Sequence, residues 1–279
     1  MQDKSEVKIF LQYLYLLPYY KHQDSFSQAS NMIKKFLKST LRSAINQMQK
    51  VESLFDEDYI AKDIPHSKKL SHDKWEEYLF DNFNKAGIRI LEVGSREVTG
   101  NSAARARFSN AEYVGFDYYE GSNVDVVGDA HKLSSYFSSD EKFDLIFSSA
   151  CFEHFAMPWQ VSYEMAKLCK IGGHIFVETH FSFSSHERPW HFFHYSDMAL
   201  RVLFSEAMGI SCIEAGVSTP IVGRFSKFAA PYLQMKPVKA MYCHVEFFGK
   251  KMAEVDNFNW NSIELEELVG TSKYPAPKS

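Results

Sequence analysis

The 279-residue chain has few cysteines and no excess of positive charge. The cysteines are widely spaced and form no CxxC pair, so neither a zinc knuckle nor a disulfide framework is expected. We expect reduced thiols in a cytoplasmic protein. With a net charge of -4, the chain also lacks the basic excess that a phosphate backbone attracts. Nucleic acid is therefore not expected as a substrate. The four cysteines are Cys151, Cys169, Cys212 and Cys243.

The chain also lacks a long uninterrupted apolar run. The most apolar stretch near the N-terminus, Val7 to Tyr20, contains Lys8 and Pro18, whereas roughly 20 apolar residues are needed to cross a bilayer. It has neither the basic start nor the clear cleavage site of a signal peptide. We interpret it as an amphipathic helix or docking segment, suited to contact with a membrane surface or a partner protein.

Composition and periodicity predict three parts of the chain. Apolar residues recur at three- and four-residue steps from Ser25 to Glu52, which predicts a helix. The charged segment from Asp56 to Ser71, which contains Pro65, is interpreted as a linker or a partly ordered connection. We expect a helical N-terminal extension over residues 1–68, a catalytic domain over 69–255 and a C-terminal tail over 256–279.

Strand and helix patterns alternate from residue 71 onward. A helix capped by Ser71 is predicted before the first strand, and further helices are predicted from Pro158 to Lys170 and from Ser196 to Gly209. The alternation predicts an α/β fold with a mainly parallel sheet, covered by helices on both faces, that binds ligands outside the carboxyl ends of its strands. Strands are predicted over residues 88–93, 112–117, 124–127, 143–148, 174–179, 210–217 and 240–248.

Two of these strand ends suit a nucleoside. The first strand ends in Glu92 and then Gly94, and a glycine after a strand lets the backbone turn tightly. The next ends in Asp117, about twenty residues later, where a carboxylate can accept hydrogen bonds from both ribose hydroxyls. The alternative for the glycine turn is an ordinary strand-to-helix turn, and the alternative for Asp117 is a solvated carboxylate at a strand end. A complete GxGxxG is absent, since only Gly94 and Gly100 are present, which disfavours a dinucleotide-dependent oxidoreductase.

Five segments in a fixed order resemble the class I, Rossmann-like S-adenosylmethionine-dependent methyltransferases, and within them the methyltransferase-11-like group. They are LEVGSREVTGN, YVGFD, VVGDAHKL, FDLIFSSACFEHF and MAKLCKIGGHIFVET. The resemblance covers roughly residues 75–250. It implies a seven-stranded sheet whose last strand is antiparallel, S-adenosylmethionine as cofactor and methyl transfer as the reaction. Ser95 and Arg96 depart from the family, which has further glycines in this turn.

The resemblance also implies roles for individual residues. The turn after the first strand would lie under the methionine moiety, Asp117 would hold the ribose, and Asp129 with the Ala130 amide would address the adenine edge. Ser148 would line the floor beside the sulfonium. The expected cofactor-binding set is Glu92, Gly94, Ser95, Arg96, Asp117, Tyr118, Asp129, Ala130 and Ser148.

Histidines are concentrated after the fourth and fifth strands, where the methyl acceptor is expected. Methyl transfer to a hydroxyl requires alignment of the acceptor and loss of its proton, which histidine can accept near neutral pH. We expect His180 to be the general base, with His191 the second candidate and His154 the third. The alternative for His154 is packing below the cofactor. An alternative for the histidines from His180 to His194 is that they ligate a divalent metal. Their spacing matches no standard zinc motif and no supporting acid pair is evident, so no metal site is predicted.

The sequence favours an O-methyltransferase acting on a sugar, a glycan precursor or another small metabolite. The histidine- and aromatic-rich segment 180–195 supports this expectation, because aromatic ring faces suit sugars and planar molecules. The alternative is a non-catalytic module that retains the fold and binds a nucleoside or a partner protein, since fold alone does not establish activity.

Overall fold

The computed structural model describes residues 23–52, 59–98, 103–255, 258–264 and 267–268. The chain divides into two compact units, Met1–Tyr59 and Ile60–Ser279. The predicted docking segment from Val7 to Tyr20, Gly100 and most of the predicted C-terminal tail lie outside the described residues.

The first unit contains one long described helix, α1 (Gln23–Glu52), where the sequence periodicity predicts it. Four apolar side chains of α1 at three- and four-residue spacing are exposed: Leu37, Leu41, Ile45 and Met48. Among the described helices, none is both long enough and apolar enough to span a membrane.

The second unit is built on a seven-stranded sheet with the order β3-β2-β1-β4-β5-β7-β6. The pairs among β1 to β5 are parallel, whereas β7 runs antiparallel to both β5 and β6. The predicted Rossmann-like sheet with an antiparallel last strand is therefore confirmed. The strands are β1 (Arg89–Val93), β2 (Glu112–Asp117), β3 (Val126–Val127), β4 (Phe143–Ser149), β5 (Cys169–His180), β6 (Ile210–Pro220) and β7 (Tyr242–Lys251).

Two hydrophobic clusters cover the two faces of this sheet. Successive side chains of a strand point to opposite faces, so Ile90 of β1 joins one cluster and Leu91 the other. The first cluster contains Trp75 and Leu79, and the second contains Val161 and Leu200. The helices that supply these side chains are α2 (Trp75–Phe83), α4 (Pro158–Leu168) and α5 (Asp197–Leu203), and the short α3 (Ala104–Arg107) packs with α2.

Helix boundaries follow local signals in some places and tertiary pairing in others. Ser196 caps α5 as predicted, accepting a hydrogen bond from the Ala199 amide. The predicted Ser71 cap is wrong, because α2 begins at Trp75 with Lys74 at its N-cap. Likewise α4 ends at Leu168, and β5 already begins at Cys169, because Cys169 pairs with Phe143 of β4. The two glycines at 172 and 173 therefore lie inside a strand rather than after a helix.

The segment predicted to be a linker belongs to the second unit. The Val217 amide donates to the Pro65 carbonyl at 2.9 Å, and the Ser67 amide donates to the Val217 carbonyl at 3.1 Å, so this segment pairs with edge strand β6. Leu70 is buried. The predicted domain start at residue 69 thus falls inside a folded unit. The charges and Pro65 of this segment suggest a linker. Its pairing with a strand about 150 residues away cannot be recognised from the sequence of the segment itself.

This pairing leads to a truncation prediction. The fragment 60–279 should unfold cooperatively and retain most of its stability, whereas 71–279 should unfold at a lower temperature because it loses the pairing to β6 and the burial of Leu70. Thermal unfolding of both fragments, followed by circular dichroism, tests this. Equal midpoints for the two fragments would show that the segment 60–70 is dispensable.

Candidate active site

A cavity of about 850 Å³ lies at the carboxyl ends of β1, β2, β4 and β5. This is the sheet edge at which α/β folds bind ligands. Residues of the cavity wall lie at the end of each of these strands or in the loop that follows it. The wall includes residues 92–98, 117–119, 128–131, 149–151, His154, His180, His186 and Trp190.

The turn after β1 leaves no room for a side chain at Gly94. Gly94 has a φ of +89°, and its amide donates to the Phe116 carbonyl at 2.8 Å. A Cβ added at Gly94 would lie 2.5 Å from the Cys151 Sγ. The next residue, Ser95, is buried and donates its hydroxyl to the Asn123 carbonyl at 3.1 Å. The turn is therefore a tightly held part of the cavity wall although it lacks further glycines.

A comparison of two glycines tests this packing. Gly94→Ala should lower the free energy of unfolding by about 2 kcal/mol or more, because strain at positive φ adds to the contact with Cys151. Gly87→Ala is the matched control, since Gly87 has a φ of +83° but nothing within 4 Å of an added Cβ. Its cost should be strain alone, about 1 kcal/mol. Denaturant unfolding measures both, and equal losses would contradict the packing argument.

Glu92 presents a buried carboxyl group to the cavity. It accepts hydrogen bonds from the Tyr113 hydroxyl and from Asn123 Nδ2 at 3.4 Å. Burial raises the pKa of Glu92 to about 7, although these two hydrogen bonds oppose the rise. A nearby positive charge would favour its ionised form.

Asp117 lies at the end of β2 with its carboxylate held by several donors. It accepts hydrogen bonds from the Arg96 amide at 3.2 Å, from Arg96 Nε at 3.3 Å and from the Tyr119 amide at 3.0 Å. The Arg96 guanidinium also lies 5.6 Å from the centre of the Tyr119 ring. These contacts fix the carboxylate in the cavity wall.

The remaining predicted cofactor residues lie in different environments. Asp129 accepts hydrogen bonds from the His131 amide and Nδ1, and these bonds lower the pKa of Asp129 although burial acts in the opposite direction. Ala130 is buried in the wall, and Tyr118 is exposed. Ser148 does not line the cavity, because its fully buried hydroxyl donates to the Val93 carbonyl at 2.7 Å. β4 extends one residue further than predicted, so residues 149–151 form the wall there.

Several histidine nitrogens converge on one oxygen of Glu153, a residue that the sequence analysis does not single out. His180 Nδ1 lies 2.8 Å from Glu153 Oε1, His154 Nε2 lies 3.9 Å from it and His186 Nε2 lies 4.0 Å from it. Glu153 is fully buried on the 3-10 turn Phe152–His154, and its Oε2 accepts a hydrogen bond from the Thr179 hydroxyl at 2.6 Å. The only sequence signal for this site is the Glu-His pair after β4.

The Glu153 carboxylate is ionised despite its burial. Burial alone would raise its pKa, but the close contacts with His180 and Thr179 lower the pKa of Glu153 to about 2. Although His180 Nδ1 is 2.8 Å away, neither this nitrogen nor Glu153 Oε1 has a hydrogen-bond partner with acceptable angles among the described residues. The two atoms are therefore in close contact without a directed hydrogen bond.

The predicted catalytic histidines are close together but not equivalent. His180 and His154 line the cavity, whereas His191 does not. His191 Nδ1 accepts a hydrogen bond from the His186 amide at 3.1 Å, and its Nε2 lies 3.0 Å from His194 Nε2. Burial and neighbouring histidines lower the pKa of His191. His191 thus lies behind the residues that face the cavity.

The fold is an α/β sheet with a cavity at the carboxyl ends of its strands, and comparison with known families shows which family has it here. Residues 68–207 match the family model described as a methyltransferase domain. This match covers half of the chain, and the chain belongs to this methyltransferase family. The resemblance to class I S-adenosylmethionine-dependent methyltransferases is therefore confirmed, and S-adenosylmethionine is the cofactor of that class. No curated protein matches the sequence.

Several solved methyltransferase structures are similar to this chain at low sequence identity. A candidate methyltransferase from Bacillus halodurans C-125 is 14% identical, with a TM-score of 0.46 over 64% of this chain and 99% of that chain. A SAM-dependent methyltransferase from Aquifex aeolicus is 16% identical, with a TM-score of 0.41 over 63% and 89%. The 1,6-didemethyltoxoflavin-N1-methyltransferase of Burkholderia thailandensis, with bound 1,6-didemethyltoxoflavin and S-adenosylhomocysteine, is 11% identical, with a TM-score of 0.44 over 64% and 76%. These likenesses assign no substrate.

Proposed function

We propose that the chain transfers the methyl group of S-adenosylmethionine to a hydroxyl oxygen of a small acceptor, such as a sugar, a glycan precursor or another metabolite. One observation supports this most strongly. A single cavity is lined by the strand-end carboxylate of Asp117 and by the histidines that surround Glu153. The first suits a nucleoside and the second suits a reacting hydroxyl.

The residues present fit the cofactor. The cavity has the size of a small-molecule site, for which about 300–1,000 Å³ is typical. Asp117 would accept hydrogen bonds from the ribose hydroxyls, and Asp129 with Ala130 would contact the adenine. Glu92 would lie near the positively charged methionine end, together with the turn formed by Gly94, Ser95 and Arg96. When bound, S-adenosylmethionine supplies an electrophilic methyl group on a sulfonium centre.

Residues on the acceptor side favour loss of the acceptor's proton. The oxygen then forms a bond to the methyl carbon, the carbon–sulfur bond breaks, and the sulfur keeps that electron pair. A histidine promotes this by accepting the proton. We place His180 first, His154 second because it also lines the cavity, and His191 third because it does not.

Aromatic side chains around the cavity support a ring-shaped acceptor. Phe183 stacks on His180 with ring centres 4.6 Å apart, and the ring centres of Trp190 and Tyr118 are 6.2 Å apart. Phe183 is 49% exposed and Trp190 is 52% exposed, so both rings have free surface. Such faces pack against sugars and planar molecules.

Product formation tests the proposal. The full chain is incubated with S-adenosylmethionine labelled in the methyl group and with sugars, sugar nucleotides and phenols, and both S-adenosylhomocysteine and labelled acceptor are measured. We expect the labelled methyl group on an oxygen of at least one class of acceptor. With the Asp117→Ala variant at low cofactor concentration, we expect no labelled acceptor. Cofactor binding without transfer to any class would instead favour a non-catalytic nucleoside-binding module.

A further inference from the structure

We propose that Glu153, His180 and His186 bind a divalent transition-metal cation beside the acceptor end of the cavity. The spacing of the histidines predicts no metal site, because no supporting acid is evident in the sequence. The structure supplies that acid as Glu153, from the turn after β4. The catalytic consequence of the site rests on the proposed function, whereas the binding of the cation does not.

The ligand atoms have a spacing that one cation can satisfy. The available atoms of Glu153, His180 and His186 lie within 4.8 Å of one another. Zinc bonds to imidazole and carboxylate are about 2.0–2.2 Å, so two ligands of a tetrahedral ion lie about 3.3 Å apart. The distances from Glu153 Oε1 to His180 Nδ1 (2.8 Å) and to His186 Nε2 (4.0 Å) fall on either side of this value. Small rotations of the two rings would therefore suffice.

Two of these atoms are buried and lack hydrogen bonds. Within the part of the chain that the structure describes, Glu153 Oε1 and His180 Nδ1 are inaccessible to solvent and have no hydrogen-bond partner of acceptable geometry. Glu153 itself is 0% exposed, and His180 is 7% exposed. A buried carboxylate is costly unless a positive charge compensates it, and among the described residues the basic groups within 4.0 Å of Glu153 are all histidines, which carry a charge only when protonated. A cation between the two atoms would satisfy both of them.

The hydrogen bonds of the outer ring nitrogens favour the metal-binding tautomer. His186 Nδ1 lies 3.0 Å from the Ser184 carbonyl oxygen, and His154 Nδ1 lies 3.0 Å from the Trp190 carbonyl oxygen. A carbonyl can only accept, so Nδ1 carries the proton and Nε2 of the neutral ring has a free lone pair. In both residues this Nε2 is the atom nearest Glu153. Metal-binding histidines are typically oriented in this way.

The donor set indicates which cation the site prefers. One carboxylate oxygen and two imidazole nitrogens suit Zn²⁺ and neighbouring transition metals better than Mg²⁺ or Ca²⁺, which prefer oxygen. Three protein ligands leave one position for water or substrate, as in catalytic zinc sites. His180 and His186 line the cavity, so the acceptor hydroxyl can reach this position. Binding there would release its proton to solvent and leave the oxygen electron pair for the methyl carbon.

Metal titration of the chelator-treated full chain tests the site directly. Calorimetry with ZnCl₂ alone should show one site per chain, and Co²⁺ should give the visible absorption of a low-symmetry site with nitrogen and oxygen ligands. His186→Ala and Glu153→Gln should each weaken zinc binding by at least about a hundredfold. His186 is on a partly exposed segment, so its variant should fold even if Glu153→Gln does not, which thermal unfolding checks.

Two matched variants locate the cation. His194→Ala removes a histidine of the same segment that is outside the ligand group. His72→Ala disrupts a second histidine–carboxylate group among the described residues, formed with Glu178 and His244. Neither should change the zinc affinity. The proposal is overturned by the absence of stoichiometric binding, by unchanged affinity in His186→Ala, or by loss of binding in His72→Ala.

The same preparation separates this inference from the proposed function. A chain that binds zinc but not S-adenosylmethionine would contradict the proposed function and leave the metal site standing. A chain that binds S-adenosylmethionine but not zinc would contradict the metal site alone.

Discussion

Replacing His180 with alanine should lower methyl-transfer turnover by about 10²- to 10⁴-fold and leave the affinity for S-adenosylmethionine nearly unchanged. His180 lies at the carboxyl end of β5, in contact with Glu153 and in the cavity wall. The variant removes a group that favours loss of the acceptor's proton, whether it acts as a base or as a cation ligand. The residues proposed to hold the cofactor come from β1, β2 and β3 and their following turns, so they should be little affected.

Turnover at saturating acceptor and cofactor affinity by calorimetry are the two measurements for this variant. His194→Ala serves as the control, because it removes a neighbouring histidine outside the cavity wall. Turnover within a few-fold of the unmodified chain would show that His180 does not act on the acceptor, or that alignment alone drives the transfer.

Asp117→Ala should weaken S-adenosylmethionine binding by at least tenfold. A carboxylate that accepts hydrogen bonds from ribose hydroxyls contributes about 1.5–3 kcal/mol, which corresponds to about 10- to 150-fold in affinity. Asp129→Ala should have a smaller effect, since adenine is also held by backbone groups and apolar contacts.

The Asp117→Ala experiment must separate a loss of cofactor binding from a loss of folding, because Asp117 also accepts hydrogen bonds from Arg96 and Tyr119. Asp117→Asn keeps the size of the side chain and one acceptor oxygen, so it should retain more of the local structure than alanine. Thermal unfolding of both variants verifies the fold. Unchanged affinity in a folded alanine variant would exclude Asp117 from the ribose site.

The sheet and the cofactor side of the cavity were predictable because their signals are local. Apolar strands are visible as short runs, and the fold places their carboxyl ends at one edge. The carboxylate of Asp117 and the turn at Gly94 therefore lie in one cavity, as their positions after β2 and β1 predict. Most of the residues that are predicted to bind the cofactor line this cavity. The contacts of these residues with the cofactor stay a prediction.

The features that sequence reasoning missed depend on contacts between distant segments. The family resemblance assigns Ser148 to the cavity floor, but its hydroxyl donates to the carbonyl of Val93 on the neighbouring strand, and the wall begins at the next residue. Pro65 and its neighbours pair with β6, which composition cannot reveal. Glu153 was overlooked as a partner of His180 and His186 because the three come from separate turns and meet only in the folded chain.

A crystal structure of the full chain with S-adenosylhomocysteine tests the central claim most directly. The account predicts the ribose hydroxyls on the Asp117 carboxylate, the adenine beside Asp129 and Ala130, and the sulfur directed toward the part of the cavity lined by His180. A ligand bound elsewhere, or bound in this cavity with its ribose away from Asp117, would contradict the account.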